Sequence, residues 1–349
     1  MARSLQDPRL SFYCEQYDHI AHRMNHYVLQ FYFEDRTVEI REVTKNRLHL
    51  KRAHFPHLNR DDFKVGSSLS LLGGVIKLTA YADEVTRELC GERGEVTAVM
   101  FGEQLLPQLG RCLAVLTEEC GFVALEMQMA WLPVETAAAY GVPPDLVEGR
   151  IVVVKCANTN ALQRGIDFMA RMPGARAAES VEEVGRWEQI VEKAKEQPVA
   201  ILGDPNSTVV IIKPHALQKL AGGVIVQQLI DAGLEISGIS LTNMTSQQAN
   251  ELLKPYKGVL PDFPDTMRSL MGTVWVLQFV SLDEGVDVVS VAREVCGPFD
   301  PVIAKELRPT SIRARFGVDR AHNAVHCCDL HEEGPLYSNF FFRPEDVDE

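Results

Sequence analysis

Hydrophobic and polar positions divide this chain near residue 95. Beyond it, short apolar runs alternate with helix-spaced ones. Val96-Thr-Ala-Val-Met100 predicts a short strand. Leu109, Cys112, Leu113 and Leu116 follow at helical spacing, and Gly121 stands where a helix C-cap glycine belongs. Val123, Leu125, Met127, Met129 and Trp131 alternate strictly, which predicts a half-buried strand with its methionines in the core. The same order recurs 112 residues later. Val209-Val-Ile-Ile212 is a strand, Val226, Leu229 and Ile230 mark a helix, Gly233 ends it, and residues 234–241 form a strand. Gly121 falls on Gly233 without a gap. The offset then becomes 123, which sets Gly149-Arg-Ile-Val-Val-Val154 against Gly272-Thr-Val-Trp-Val-Leu277 and Gly174 against Gly297. Two βαβ domains of one ancestry explain this. Residues 175–205 read as the end of the first repeat plus a linker, and Gly203-Asp-Pro-Asn-Ser207 as the turn opening the second.

Residues 1–92 follow another pattern. Tyr27–Phe33 and Thr37–Val43 read as strands joined by the hairpin-length loop Glu34-Asp-Arg36, and residues 67–72 and 74–80 as further β structure. His19, His22, His26, His49, His54 and His57 lie here, too irregularly spaced for a metal site. The basic segment from Lys45 through Lys51 to Arg52 is a solvated face or a contact for an acidic partner.

Composition narrows the classes. A length of 349 residues predicts two or three domains, and 46% apolar with 24% charged residues excludes wholesale disorder, collagen and coiled coil. Apolar runs fall short of the ~20 residues of a membrane span, and MARSLQDPRL lacks a signal's apolar region, so no membrane partner is expected. A net charge of -13 argues against nonspecific nucleic-acid binding but leaves room for a local basic pocket for a nucleotide. Eight cysteines without CxxC or zinc spacing read as reduced thiols, and no protein metal site is expected.

The chemistry gathers in the second repeat. Lys213-Pro-His215 follows a strand, Arg293 sits four residues before Gly297, and Arg313 precedes Asn323 by ten residues and His326 by thirteen. A histidine nitrogen can attack a γ-phosphorus, and cations must then hold the phosphate oxygens. Spacing alone also fits a packed polar corner in which Asp300, Glu306 and Asp329 partner the cations.

Ser207-Thr-Val-Val-Ile-Ile-Lys-Pro-His-Ala-Leu217, Ser311-Ile-Arg-Ala-Arg-Phe316 and Asn323-Ala-Val-His-Cys-Cys-Asp329 resemble the nucleoside diphosphate kinase family. Residues 231–237, Tyr256-Lys-Gly-Val259, Cys296-Gly-Pro298 and Asp300-Pro301 narrow the resemblance to members with a DM-10 domain before two kinase-like domains. Phe31-Tyr-Phe33, Val38-Glu39 and Leu50-Lys-Arg52 extend it to the N-terminus. It implies an α+β chain: a small β-rich DM-10 domain over 1–92, a degenerate ferredoxin-like kinase domain over 93–200 and a second over 206–345. It further implies that Lys213, Arg293 and Arg313 hold phosphates, Asn323 contacts the sugar, and His326 is the phosphorylated nucleophile. Mg²⁺ would bridge the phosphates of ATP or GTP.

Several positions depart from the family's pattern. Its phosphate-site threonine falls on Phe299, its active-site tyrosine on Leu253, the serine after the histidine on Cys328, and the glutamate orienting the histidine on Tyr337. The base-stacking aromatic falls near Pro261, with Phe263 as a substitute. In the first repeat Phe101 stands for Lys213 and Ala170 for Arg293, and no histidine lies between His57 and His215, so that repeat is expected to be inactive. Members of this type are associated with ciliary axonemes. The resemblance therefore implies a structural microtubule inner protein of the ciliary or flagellar doublet, in the cytoplasm and cytoskeleton. Tubulin, neighbouring axonemal proteins and the γ-tubulin ring complex are its implied partners. The alternative is a nucleoside diphosphate kinase acting through His326. The two repeats are expected to pack as an internal pseudo-dimer.

Overall fold

The computed structural model describes residues 9–18, 21–43, 45, 47–59, 62–71, 74–83, 86, 90, 95–146, 149–197, 199–260, 262–281, 283 and 285–343. The expected boundary at 92/93, the end at 345, His19 and Pro261 lie outside these residues.

The first strands are β1 (Arg9–Asp18), β2 (Arg23–Tyr32), β3 (Thr37–Glu42), β4 (Arg47–His54), β5 (Ser68–Leu71) and β6 (Gly74–Tyr81). They form an antiparallel sheet in the order β4-β3-β2-β1-β6-β5. Alternation puts Leu10, Phe12, Leu29, Phe31, Val38 and Ile40 on one covered face, where Phe31 stacks on Phe63 at 4.1 Å. The basic segment proves to be the edge strand β4, and charge on an edge discourages pairing with other chains. Its charges are largely answered within the domain: Lys45 and Arg47 lie 3.1 and 2.6 Å from Glu42. Arg52 lies 2.7 Å from Asp35 and over the Tyr32 ring.

The first repeat runs β7 (Glu95–Phe101), α1 (Leu109–Ala114), β8 (Val123–Trp131), α2 (Val134–Ala139), β9 (Arg150–Asn158), α3 (Ala161–Arg171), β10 (Arg176–Ala177) and α4 (Val181–Glu196). The second begins with β11 (Thr208–Ile212), α5 (Pro214–Gln218), α6 (Gly222–Asp231), β12 (Glu235–Met244), α7 (Ser246–Leu252), α8 (Phe263–Leu270) and β13 (Gly272–Val280). It ends with α9 (Val288–Cys296), α10 (Pro301–Leu307), α11 (Ile312–Phe316), β14 (Val325–Cys327) and α12 (Glu333–Phe342). One sheet of eight strands takes both repeats, in the order β10-β7-β9-β8-β12-β13-β11-β14. The order reads the same from either end, strand for strand, which is two ferredoxin-like units about a pseudo-twofold axis.

The axis can be located. The ladder between the repeats is the single pair Gln128↔Ser240, and these two residues are themselves 112 apart. A residue facing its own repeat equivalent across an antiparallel pair lies on the twofold. Both repeats also shift register at equivalent places, between Ala124 and Glu126 and between Ile236 and Gly238. On the sheet's face α1 and α6 cross at glycines. A Cβ on Gly110 would fall 2.2 Å from the Gln227 backbone nitrogen, and one on Gly223 2.4 Å from that of Ala114.

Two expectations are corrected here. Most of residues 175–205 is not linker but β10 and α4. Ser180 caps α4 by accepting from the Glu183 N–H, and Trp187, Ile190 and Val191 bury its inner face while the glutamates mark the outer one. Strand β8 is not half-buried either. Gln128 and Ala130 are buried along with Met127 and Met129, because side chains cover both faces, and Trp131 is exposed.

Candidate nucleotide-phosphate site

Lys213 ends β11 and caps the start of α5, the junction where a βα turn presents a side chain above a sheet. It is 1% exposed. Its Nζ donates to Ser269 Oγ at 3.0 Å and to the Ala321 carbonyl at 2.7 Å. Arg313, on α11, is also buried, donating to the Gly297 carbonyl at 2.7 Å and the Val325 carbonyl at 3.3 Å. Its Nε has no partner among the described residues. Nor does either cation have a carboxylate oxygen within 4.0 Å among them. Burial, and then the charge of Arg313, lowers the Lys213 pKa from 10.5 to about 7.

His326 lies on β14, opposite Ile211 of β11, and is buried. Its Nε2 is 3.1 Å from the Tyr337 hydroxyl. Burial, with Lys213 and Arg313 nearby, pushes its pKa down to about 3, so the imidazole is neutral. Asn323 is fully buried: Nδ2 donates to the Phe299 carbonyl at 3.0 Å, and Oδ1 is unpartnered among the described residues. Between Asn323 and His326 the backbone of Ala324 is left-handed, with φ 73°. Two hydrogen bonds hold it there: the Lys213 N–H donates to its carbonyl, and its own N–H donates to His215 Nε2. Such strain costs about 1–3 kcal/mol, and it bends the chain that presents both side chains.

Lys213, Arg313, Asn323 and His326 therefore come together. Arg293 does not join them in the interior; it stands half-exposed at the rim, its Nε 3.5 Å from Asp329. Phe299 replaces a hydroxyl with a ring lying 5.8 Å from Arg313 and 5.9 Å from Arg320. Cys328 turns to the Val209 backbone. Phe263 packs at the edge of the hydrophobic cluster on this side of the sheet.

The placing of the site tyrosine needs correction. Leu253 is in the core, and the tyrosine beside the histidine is Tyr256, whose ring meets His326 edge-on at 5.9 Å. Helix α7 ends at Leu252 and a tight turn over Lys254–Tyr256 swings Tyr256 inward; spacing on a helix misjudges it by three residues. Tyr256 Oη donates toward Asp329 Oδ2 at 2.9 Å and Glu333 Oε1 at 3.0 Å. Glu333 and Ser269 were not singled out from sequence, since neither lies in a motif.

In the first repeat the ladders correct one equivalence. Phe101 pairs with Val152 as Ile212 pairs with Trp275, so Gly102, not Phe101, matches Lys213. Gly102 likewise caps the helix that follows, in extended conformation. The position carries no side chain at all. Ala170 still faces Arg293 in the alignment, since Gly174 and Gly297 both follow with positive φ. No group of three or more metal-ligating side chains occurs among the described residues, and the cysteines there are free.

Comparison with known proteins agrees with this geometry. Residues 206–347 match the nucleoside diphosphate kinase family model. The chain is 27% identical to nucleoside diphosphate kinase homolog 7 of Rattus norvegicus, across 98% of this chain and 95% of that protein. It is 31% identical to the nucleoside diphosphate kinase of Aquifex aeolicus, across 39% of this chain and 92% of that one. A crystal structure of the Aquifex aeolicus nucleoside diphosphate kinase aligns with a TM-score of 0.36 at 30% identity, over 41% of this chain and 98% of that one. On its second repeat, with its buried lysine, arginine and histidine, the chain belongs to the nucleoside diphosphate kinase family.

Proposed function

We propose that the C-terminal repeat binds the phosphates of a nucleoside tri- or diphosphate and accepts a phosphoryl group on His326. The observation that carries this is the pair of buried cations, Lys213 and Arg313, without a carboxylate within 4.0 Å among the described residues. An uncompensated buried cation costs several kcal/mol. Phosphate oxygens supply the missing negative charge and accept from the free Arg313 Nε. Asn323 Oδ1, a buried acceptor without a donor, suits a sugar hydroxyl. Arg293 would close over the phosphates from the rim. No protein cage for Mg²⁺ exists among the described residues, so the ion would come bound to the nucleotide, as its preference for phosphate and water allows. Neutral His326 keeps a lone pair for attack, and the cations stabilise the charge that spreads over the phosphoryl oxygens.

The chain as a whole we read as a structural protein: a microtubule inner protein of the ciliary or flagellar doublet, bound to tubulin and neighbouring axonemal proteins, with a DM-10 domain at its N-terminus. This is the reading its likeness to nucleoside diphosphate kinase homolog 7 favours, together with a first repeat that keeps its packing while lacking a lysine at Gly102 and any histidine. The γ-tubulin ring complex is a further partner on the same likeness. Turnover as a kinase is the second reading, favoured by Tyr256 standing at His326.

Incubation with γ-labelled ATP and Mg²⁺ tests the site. Wild-type protein should form an acid-labile phosphoenzyme that a nucleoside diphosphate discharges, and His326→Ala should form none. Equal label on both proteins would remove His326 from the reaction. Co-sedimentation with microtubules tests the scaffold role, which fails if the protein stays in the supernatant.

A further inference from the structure

The family's orienting carboxylate is missing at Tyr337, yet a carboxylate stands one helical turn earlier, at Glu333. We infer that Glu333 orients His326 through two phenols, Tyr256 and Tyr337, in a relay that fixes the proton on Nε2 and leaves Nδ1 as the nucleophile. This rests on the reading of His326 as phosphoryl acceptor.

The contacts form a continuous line. Glu333 Oε1 is 3.0 Å from Tyr256 Oη. Tyr256 and Tyr337 are hydrogen-bonded to each other. Tyr337 Oη is 3.1 Å from His326 Nε2. Glu333 is itself anchored, its Oε2 accepting from the Asp329 and Leu330 N–H groups at 2.6 and 3.2 Å.

The direction of the bonds is forced. An ionised carboxylate only accepts, so the single Tyr256 proton goes to Glu333 or to Asp329 beside it. Tyr256 oxygen can then only accept, and Tyr337 donates to it. The Tyr337 oxygen is left to accept from His326, so Nε2 carries the hydrogen. Burial and the neighbouring carboxylates hold both phenols protonated far above neutral pH. The positive charge the ring gains on phosphorylation is met by a phenol polarised through a second phenol toward the carboxylate.

The step balances on these residues. The Nδ1 lone pair forms a bond to the γ-phosphorus, and the bond from phosphorus to the β–γ bridging oxygen breaks. Its electron pair leaves with the nucleoside diphosphate, and Nε2 keeps its proton throughout. Attack by an acceptor diphosphate returns the pair to Nδ1.

The readout is the tautomer of His326 in the nucleotide-free full chain, by nitrogen NMR with ¹⁵N-histidine, His326→Ala assigning the signal. Wild type should carry the proton on Nε2. In Tyr256→Phe the Nδ1–H form should appear, and the labelling rate should fall about tenfold or more. Glu333→Gln, which keeps an acceptor oxygen, should hold the tautomer while slowing labelling. Tyr337→Phe should behave as Tyr256→Phe; if it fails to fold, the half-buried Tyr256 position carries the test. A wild-type proton on Nδ1, or a Tyr256→Phe protein still wholly Nε2–H, overturns the relay. Absence of label in wild type overturns the acceptor reading alone, because the tautomer is read without nucleotide.

Discussion

At the scale of the residue, Lys213 makes the sharpest statement. Above about pH 10.5 the lysine is neutral whether folded or not. Between 10.5 and about 7 the unfolded chain binds a proton that the folded one does not. Stability without nucleotide therefore falls as pH drops through that window, and the full penalty is present below 7. Phosphate oxygens reverse the shift, so nucleotide binding at pH 8.5 should take up most of a proton. Calorimetry in two buffers of different ionisation enthalpy measures this, and a buffer-independent heat would sink it. Lys213→Met should lose nucleotide affinity yet raise nucleotide-free stability by about 1–4 kcal/mol, as replacing a buried charge by an apolar side chain often does.

At the scale of the element, the helices α1 and α6 decide how closely the repeats approach. Alanine is ordinarily better than glycine in a helix by about 1 kcal/mol. At Gly223 the added methyl would lie 2.4 Å from the Ala114 backbone nitrogen and 2.6 Å from the Gly110 carbonyl, neither of which can swing aside. Gly223→Ala should therefore destabilise by a net ~1–3 kcal/mol despite the better propensity. Gly185, in the middle of α4, has open space where its Cβ would go. Gly185→Ala should stabilise by about 0.4–1 kcal/mol. Denaturant titration of the pair separates backbone propensity from the crossing; equal effects would mean the helices are free to part.

At the scale of the molecule, the repeat edge at β8 and β12 is already occupied by the chain's own second copy. The edge that would pair with another chain in a one-repeat protein is covered, and the crossing of α1 and α6 seals one face beside it. The predicted sedimentation mass is that of one chain, 38.9 kDa. A mass near six times that value would show that other surfaces assemble it. Acidic tubulin and a chain of net charge -13 repel at long range, so any contact must be local and short-ranged. The basic strand β4 offers little for it, with Lys45, Arg47 and Arg52 engaged by Glu42 and Asp35.

The sequence by itself determined the repeat, because strands and helices carry distinct hydrophobic periods and the glycines with positive φ, Gly121 and Gly233, Gly174 and Gly297, mark equivalent helix ends. It determined the cluster around His326 as well, since Lys213, Asn323 and His326 flank strands whose apolar runs are plain. Tertiary structure decided what spacing does not encode. Strand register moved the match of Lys213 from Phe101 to Gly102, because a ladder pairs residues across the sheet, and an offset along the chain carries loop-length changes with it. Packing made β4 an edge, buried both faces of β8, and left Arg293 at the rim. A turn after α7 put Tyr256 beside His326, and one turn of α12 brought Glu333 within reach of it. Each of these depends on which surfaces meet, and only burial in three dimensions sets that.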